Sequence, residues 1–312
     1  MDEYARIRST FRWALPTHFN FGADVIDRLA SADGGRLALL WCNEAGQERR
    51  FTFAEIAQAT NRFANVLAAH GIARGDRVLI MLPRIPEWQI ALVGSLKLGA
   101  VPVPAIEMLT AEDLGFRIRQ SGARAVVCRA EACAKFKDLS AGLALRLSLG
   151  PAPGWLEYEA ALARASESFA PPAIGLEEPA AIYYTSGTTG PPKGVTISAR
   201  GLYCWRFAGQ FWLDLAPGDL VWCTADTGWS KAATSVLLCP WSLGVAAFFY
   251  DGPFEPERRF KLIERYGVTV FCAAATELRR LIAAPGRLAS SLRLVVSAGE
   301  AVDAELYEAW RA

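Results

Sequence analysis

The chain has 312 residues, 52% of them hydrophobic, which is enough to bury one large core or two moderate ones and predicts a globular protein. Its 33 basic and 32 acidic side chains nearly cancel and no long run of one sign occurs, so the composition gives no reason to expect a nucleic-acid partner. The seven cysteines are scattered singly and no signal peptide is recognisable, which predicts free thiols in a reducing cytoplasm.

The first half of the chain alternates helical and strand patterns. Thr52 and Glu55 form a capping box that opens an amphipathic helix, and Gly71 ends it. Strands follow at 77–82, 100–103 and 124–128, separated by helices at 86–99 and 110–120. Because these strands are continuously apolar, their sheet is predicted to be parallel and covered on both faces.

Periodicity weakens between residues 130 and 178, where four prolines accumulate, which predicts an irregular connection and a subdomain boundary. Apolar strands then resume at 181–184, 220–223, 245–250, 268–271 and 292–296, and a helix is predicted at 303–311. The fold class is therefore predicted to be α/β, with two parallel-sheet subdomains at 1–178 and 179–312.

The uncharged stretch at 232–250 is long enough to raise the question of a membrane span. Pro240 and Gly244 divide it into a helix ending near Cys239 and a short strand, so no membrane span is predicted. The two histidines, His18 and His70, are far apart and are expected to be structural, and no metal ligand is predicted among these residues.

A loop dense in hydroxyls and glycines follows the strand at 181–184. It reads Thr185-Ser186-Gly187-Thr188-Thr189-Gly190-Pro191-Pro192-Lys193-Gly194. Glycines let the backbone approach phosphoryl oxygens, and the Lys193 ammonium would neutralise charge on a leaving polyphosphate. In a Walker loop the lysine follows a glycine and precedes Ser or Thr, so this is a different nucleotide loop. Composition alone would also fit a flexible surface loop.

The full ten-residue string resembles the phosphate-binding signature of the adenylate-forming superfamily: acyl-CoA synthetases, firefly luciferase and the adenylation domains of nonribosomal peptide synthetases. Other segments look like the acetyl, medium-chain and benzoate CoA ligases, namely His18-Phe19-Asn20-Phe21 with Asp24-Val25, Thr224-Ala225-Asp226-Thr227-Gly228-Trp229 and Pro240-Trp241-Ser242-Leu243-Gly244. Ser297-Ala298-Gly299-Glu300 is similar to the family segment that meets the adenine end of the nucleotide. The resemblance runs over essentially the whole chain.

This resemblance implies the large N-terminal domain of an AMP-forming acid-thiol ligase. In such enzymes a carboxylate attacks the α-phosphate of Mg-ATP and pyrophosphate leaves, after which the thiol of coenzyme A displaces AMP. The expected small molecules are therefore ATP, Mg²⁺, coenzyme A and a carboxylic acid, and the expected setting is fatty acid metabolism in the cytoplasm.

The resemblance also assigns residues to these groups. The loop from Thr185 to Lys193 is expected to hold the triphosphate, with Thr188 and Lys193 in catalytic roles. Gly299 and Glu300 are expected at the adenosine, and Trp229, Ser230 and Lys231 at the acyl group. Two alternatives stay open: Trp229 as a core residue, and Glu300 as a cap of the following helix.

Three departures from the family pattern stand out. The chain ends at Ala312, whereas family members continue through a magnesium glutamate, a ribose aspartate, a hinge and a small C-terminal domain. Cys272-Ala273-Ala274-Ala275-Thr276 stands where relatives usually carry a pair of prolines, and Ile197-Ser198 lacks a common histidine. The acid therefore stays open between a medium-chain fatty acid and an aromatic acid such as benzoate, with acetate as a third, less favoured alternative.

From the first departure we expect an N-terminal fragment that is incomplete at its C-terminus and inactive alone. Its uncovered apolar surface would favour self-association or a separate C-terminal partner. The rival hypothesis is a non-catalytic nucleotide- or acyl-binding module, or one half of a split synthetase.

Overall fold

The computed structural model describes residues 2–139, 142–185, 190–286 and 289–311. Its strands are β1 Leu37–Asn43, β2 Glu48–Thr52, β3 Arg77–Met81, β4 Val101–Pro104, β5 Ala123–Arg129, β6 Leu145–Leu149, β7 Leu156–Glu157, β8 Pro179–Thr185, β9 Lys193–Ser198, β10 Leu220–Cys223, β11 Ala246–Asp251, β12 Val270–Ala273 and β13 Leu294–Ser297.

Its α-helices are α1 Glu3–Thr10, α2 Arg28–Asp33, α3 Phe53–Ala69, α4 Pro86–Leu98, α5 Ala111–Ser121, α6 Tyr158–Arg164, α7 Ala199–Trp205, α8 Ala208–Phe211, α9 Ser230–Ala233, α10 Cys239–Ser242, α11 Pro256–Tyr266, α12 Ala275–Ile282 and α13 Ala304–Arg311. Short π-helical turns span Gly22–Asp27 and Thr234–Leu238, and a 3₁₀ segment spans Ala130–Phe136.

Two largely parallel sheets form the framework, which confirms the predicted α/β class. The larger has the order β13-β12-β10-β11-β1-β2, and each neighbouring pair is parallel except β1 with β2. The smaller has the order β4-β3-β5-β6-β7 and is parallel throughout. Central strands are buried on both faces, as their continuous apolar runs predicted.

The irregular connection predicted for 130–178 is wrong in part, because β6 and β7 extend the smaller sheet in parallel within it. Strand β6 is only five residues long and carries Arg146 at its second position, so its apolar pattern was too short to recognise. Its place is decided by pairing with β5, where Leu147 lies opposite Val127.

Strand β8 was predicted as part of a second parallel sheet, and this is also wrong. Among the described residues β8 pairs only with β9, antiparallel, so the phosphate loop joins the two strands of a hairpin. Strand β9 escaped prediction because its first four residues are exposed and its sequence is mixed.

Sheet membership does not follow the division predicted between residues 178 and 179. Strands β1 and β2 come from the first half of the chain, yet β1 pairs with β11 in the larger sheet. The predicted division into 1–178 and 179–312 stays a prediction, and the first subdomain as drawn contributes strands to both sheets.

Local signals position several helices as predicted. Thr52 and Glu55 form the capping box of α3, and Thr110 forms a second one with Asp113 at the start of α5. Gly99, in the left-handed region with φ of 81°, ends α4. The predicted helices at 86–99 and 110–120 are therefore confirmed within a residue or two.

The helix predicted to end near Cys239 instead continues to Ser242 as α10. Pro240 removes a backbone N–H that would bond the carbonyl of Val236, four residues earlier. The Val236 carbonyl instead accepts a hydrogen bond from Gln89 Nε2 at 2.6 Å, so the missing Pro240 N–H does not leave it without a partner. Within the described ranges, no helix is long and apolar enough to cross a membrane.

Candidate functional site

A cavity of about 710 Å³ opens at the carboxyl ends of three neighbouring parallel strands. Six residues that follow these strands line the cavity. They are Ala225 and Asp226 after β10, Ala274 after β12, and Ala298, Gly299 and Glu300 after β13. The carboxyl edge of a parallel sheet is where open α/β folds bind ligands, because strand ends and helix starts converge there. The sheet order β13-β12-β10 therefore builds the cavity floor.

The walls come from two helical regions. One wall holds Trp229, Ser230, Lys231 and Thr234, at the start of α9 and just beyond it, and the other holds Trp205, Ala208 and Trp212 from α7, α8 and the residue after it. The predicted acyl residues, 229–231, and the predicted adenosine residues, Gly299 and Glu300, thus line one cavity. Their ligand contacts remain predictions.

Trp229 is not a core residue, which removes that alternative: its side chain is 51% exposed and faces the cavity. The turn before it is fixed by Asp226, whose Oδ1 accepts the Gly228 N–H at 3.3 Å and whose carbonyl accepts the Trp229 N–H at 3.1 Å. A Cβ at Gly228 would lie 2.5 Å from Ile106 Cγ2, so only glycine lets this turn press against the smaller sheet.

Lys231 bridges two parts of the cavity. Its Nζ donates a hydrogen bond to the Ala298 carbonyl at 2.9 Å, which links the start of α9 to the segment after β13. The predicted acyl wall and the predicted adenosine segment are therefore held together by a charged side chain within the protein.

Glu300 caps a helix, but not the one that follows it. Its Oε2 accepts the backbone N–H and the hydroxyl of Thr276 at 2.7 and 2.8 Å, in the first turn of α12. The Thr276 N–H holds the pKa of Glu300 below its ordinary value. The following helix, α13, is instead capped by Asp303, whose Oδ1 accepts the Leu306 N–H at 2.8 Å.

Gly299, next to Glu300, is exposed and has a φ of 94°. This left-handed conformation needs glycine, and no atom of the described residues lies within 4 Å of where a Cβ would stand. The backbone at Gly299 is therefore open to close approach by a ligand, as the prediction of an adenosine contact requires.

Four of the predicted phosphate-loop residues, Ser186, Gly187, Thr188 and Thr189, lie outside the described residues. At the ends of the loop, Thr185 and Lys193 stand directly opposite each other in the β8–β9 register. Side chains at such positions share a face of the hairpin, with Cβ atoms about 5 Å apart. One anion can therefore meet the Thr185 hydroxyl and the Lys193 ammonium together.

The second half of the loop is open to solvent. Gly190, Pro191 and Lys193 are exposed and Pro192 is half-buried, and Gly190 has a φ of 123°. Within the described part of the chain, Lys193 makes no ion pair with an acidic side chain. Residues 190–193 are not among the described residues lining the cavity, so the structure groups them with Thr185 and not with Trp229.

A buried charge pair beside the cavity was missed by sequence reasoning. Arg259, 3% exposed, donates from Nε to Glu277 Oε1 at 3.0 Å, and Glu277 Oε2 accepts the Thr224 hydroxyl at 2.5 Å. Thr224 directly precedes the cavity residue Ala225, and Glu277 lies in the first turn of α12. The pair therefore ties the end of β10 to α12.

Sequence reasoning also missed Trp205, Ala208 and Trp212 as cavity residues. The seven-residue spacing of the two tryptophans was the available signal, since it places side chains on one face of a helix. The helix is interrupted between α7 and α8, so the spacing alone did not predict that the two tryptophans line the same wall. Among the described residues no group of three or more His, Cys, Asp or Glu could hold a metal ion, and we assign no metal ligand.

Comparison with known proteins gives consistent results. The family model described as AMP-binding enzyme matches residues 26–312. The mitochondrial acyl-coenzyme A synthetase ACSM3 of Mus musculus is 36% identical over 328 residues, covering 99% of this chain and 56% of the relative. The chain thus spans little more than half the length of that relative.

Two solved structures share the fold. The crystal structure of an acyl-CoA synthetase of Brucella canis superposes with a TM-score of 0.91 at 27% identity, covering 99% of this chain and 59% of that one. The anthranilate CoA ligase AuaEII, in complex with anthranoyl-AMP, superposes with a TM-score of 0.87 at 24% identity, covering 95% and 58%. The second likeness concerns the fold alone.

Proposed function

Because this chain belongs to the AMP-binding enzyme family, we propose that it contributes the nucleotide and acyl sites of an acyl-CoA synthetase, in which a carboxylic acid is activated with ATP and passed to coenzyme A. The observation that carries the proposal is the shared cavity: residues assigned to the acyl group and residues assigned to adenosine line the same space. An acyl-adenylate needs both groups side by side. The predicted resemblance to acyl-CoA synthetases is confirmed at the level of the family.

The residues have distinct tasks in this proposal. ATP, when bound, supplies the electrophilic α-phosphate. Lys193 and the Thr185 hydroxyl, opposite each other across the loop, hold and neutralise the polyphosphate that leaves. The open backbone at Gly299 lets adenosine approach, and Glu300 fixes the adjoining start of α12 through Thr276. Mg²⁺ would enter with the nucleotide.

The cavity supports an apolar acid. Its lining includes three tryptophans, at 205, 212 and 229, and four alanines, at 208, 225, 274 and 298. Ala274 belongs to the segment that departs from the family pattern, and its methyl side chain leaves room that a larger residue would fill. We therefore propose a medium-chain fatty acid or an aromatic acid as the substrate, with a place in fatty acid metabolism. A compact, polar acid would leave this surface uncovered.

The cytoplasm is the compartment we propose for this activity. All seven cysteines are free thiols, as expected where the surroundings are reducing. The test is fractionation of cells that express the chain from its own gene, with detection by antibody. Recovery with an organelle or outside the cell would overturn the proposal.

Nucleotide binding is tested on the purified chain by titration with Mg-ATP. Lys193→Ala is expected to raise the dissociation constant roughly tenfold while leaving the melting temperature unchanged, because an exposed ammonium contributes to phosphate binding and not to the core. Lys261→Ala, an exposed lysine on α11, is the matched control and should bind ATP normally. Equal affinity in both variants would reject the role of Lys193.

Acid activation is tested by ATP–pyrophosphate exchange with a panel of fatty and aromatic acids. Acid-dependent exchange supports activation, and the acid that responds names the substrate. The second candidate function, binding without turnover, is favoured by the cavity itself, in which residues assigned to the acyl group and to adenosine already meet. Tight binding of ATP and acid without exchange would support that function and reject activation by this chain.

A further inference from the structure

An exposed aromatic surface lies where the segment after α1 packs against the α7–α8 region of the cavity wall. We call it the aromatic rim, formed by Phe11, Trp13, Leu15, Phe207 and Phe211. Trp13 is 50% exposed, Leu15 41% and Phe211 57%, so large apolar side chains of a kind usually buried in a core are accessible to solvent. Exposed clusters of this kind mark surfaces that bind a partner.

The rim is an ordered assembly. The Phe11 ring packs edge-on against Trp13 at 4.9 Å and against Phe211 at 6.1 Å, and Trp13 packs against Phe207 at 5.2 Å. The Tyr203 hydroxyl donates to the Ala14 carbonyl at 2.8 Å, which fastens the N-terminal segment onto α7. The aromatic side chains are therefore held together and presented at the surface.

The charge nearest the rim is basic. Residues 4–17 contain Arg6, Arg8 and Arg12 and no acidic residue, whereas Asp2 and Glu3 stand at the start of α1 and Glu3 lies 4.0 Å from Arg6. All three arginines are exposed. Across the described residues neither Arg8 nor Arg12 forms an ion pair with a carboxylate, and Arg12 Nη1 contacts only backbone carbonyls.

Aromatic rings beside arginines suit a lipid–water interface, because tryptophan and phenylalanine enter the headgroup region while guanidinium groups bind lipid phosphates. We propose that the aromatic rim, together with Arg8 and Arg12, docks this protein on anionic lipid bilayers. The docking is peripheral and concerns a surface, not a membrane span.

The position of the rim gives this docking a use. Helices α7 and α8 present Tyr203, Phe207 and Phe211 to the rim, and the adjoining Trp205, Ala208 and Trp212 to the cavity. A protein seated on its rim would therefore hold the cavity beside the bilayer in which apolar acids dissolve. That use rests on the proposed function, whereas the docking itself does not.

The experiment is sedimentation of the whole chain with vesicles, without ATP or acid, so that a failure concerns docking and not acid activation. Vesicles of phosphatidylglycerol with phosphatidylcholine are compared with vesicles of phosphatidylcholine alone. We expect binding to the anionic vesicles that weakens as salt is raised. Binding should fall at least about tenfold in the double variant Trp13→Ser and Phe211→Ser, and roughly fivefold for each of Arg8→Gln and Arg12→Gln.

Two controls match these changes. Tyr307→Ser removes an aromatic residue of 54% exposure on α13, and Arg119→Gln removes an exposed arginine on α5, and both should bind as the parent does. If the aromatic double variant loses its folded structure, the arginine variants decide the question. Equal binding to neutral vesicles, no binding, or parent-like binding by the arginine variants would overturn the proposal. Self-association lost in the aromatic variant, without vesicle binding, would show instead that the rim contacts a second copy.

Discussion

Glu277→Gln tests whether the buried charge pair beside the cavity stabilises the protein. The variant keeps the shape of the side chain and removes its charge, so the Arg259 guanidinium is left with a neutral partner. That guanidinium is 3% exposed, and burial lowers its pKa. The Arg259 Nη1 has no hydrogen-bond partner among the described residues, so Glu277 provides most of the interaction that offsets burial of the guanidinium charge.

The size of the effect follows from the geometry. Two charges 3.0 Å apart attract by about 5 kcal/mol at an effective dielectric constant of about 20. Removing one partner of a buried pair costs about 3–5 kcal/mol, and the glutamine amide restores about 1 kcal/mol as a neutral hydrogen bond. Trp222, with its ring centroid 4.9 Å from Arg259, stays in place in the variant. We expect a net loss of about 2–4 kcal/mol.

The assay is urea unfolding at neutral pH, read by far-ultraviolet circular dichroism. Glu264→Gln, an exposed glutamate on α11, is the matched control and should change the free energy of unfolding by less than about 0.5 kcal/mol. Adding Arg259→Met to Glu277→Gln should cost less than the sum of the two single changes, because the pair is lost as a unit. A loss below about 1 kcal/mol, or strict additivity, would refute this reasoning.

Three further predictions concern stability and the cavity. Burial alone would raise the pKa of Asp219, but hydrogen bonds from Arg293 hold this pKa below its ordinary value. Asp219→Asn should therefore lower the free energy of unfolding in urea at pH 7, and this loss should shrink as pH falls below about 4. Burial lowers the pKa of Lys97, whose Nζ donates a hydrogen bond to Asp27 Oδ1 at 2.6 Å. Asp27→Asn should lower the free energy of unfolding by about 3 kcal/mol at pH 7, because the buried ammonium loses its counter-charge. This loss should narrow as pH rises toward the pKa of a free lysine, because a neutral amine needs no counter-charge. Ala274→Leu should weaken binding of a bulky apolar acid several-fold by calorimetry and leave ATP affinity unchanged, and equal losses for both ligands would contradict a separate acyl wall.

The sequence predicted the fold where local and tertiary forces agree. The capping boxes at Thr52 and Thr110 act within one turn of helix, and the apolar runs of β3 and β10 need only burial on both faces, so these elements could be read from short segments. Strand β6, with Arg146 at its second position, and the exposed strand β9 depend on pairing with β5 and β8. Pairing of this kind is set by contacts distant in sequence, and local patterns do not encode it.

The candidate site divides in the same way. Glycine-rich and hydroxyl-rich residues around Lys193 carry their chemistry in sequence order, so the loop was found from composition and spacing. The Arg259–Glu277 pair joins helices α11 and α12, and Trp205 lines the same cavity as Trp229 from a different part of the chain. Such groups meet only when the carboxyl ends of β10, β12 and β13 converge, which is a property of strand order.

The anchoring of α12 distinguishes the cavity from the β8–β9 hairpin that carries Lys193. Glu300 holds the first turn of this helix through Thr276, and Glu277 holds it again through Arg259 and Thr224. These bonds fix the segments after β10, β12 and β13 relative to one another, so the walls predicted to meet the acyl group and adenosine are tied together. Thr185 and Lys193 belong to a separate hairpin, and Gly190, Pro191 and Lys193 are exposed. Under the proposed function, selection of the acid would be built into the folded cavity and phosphate binding would depend on the exposed Lys193, so the two properties should separate by mutation.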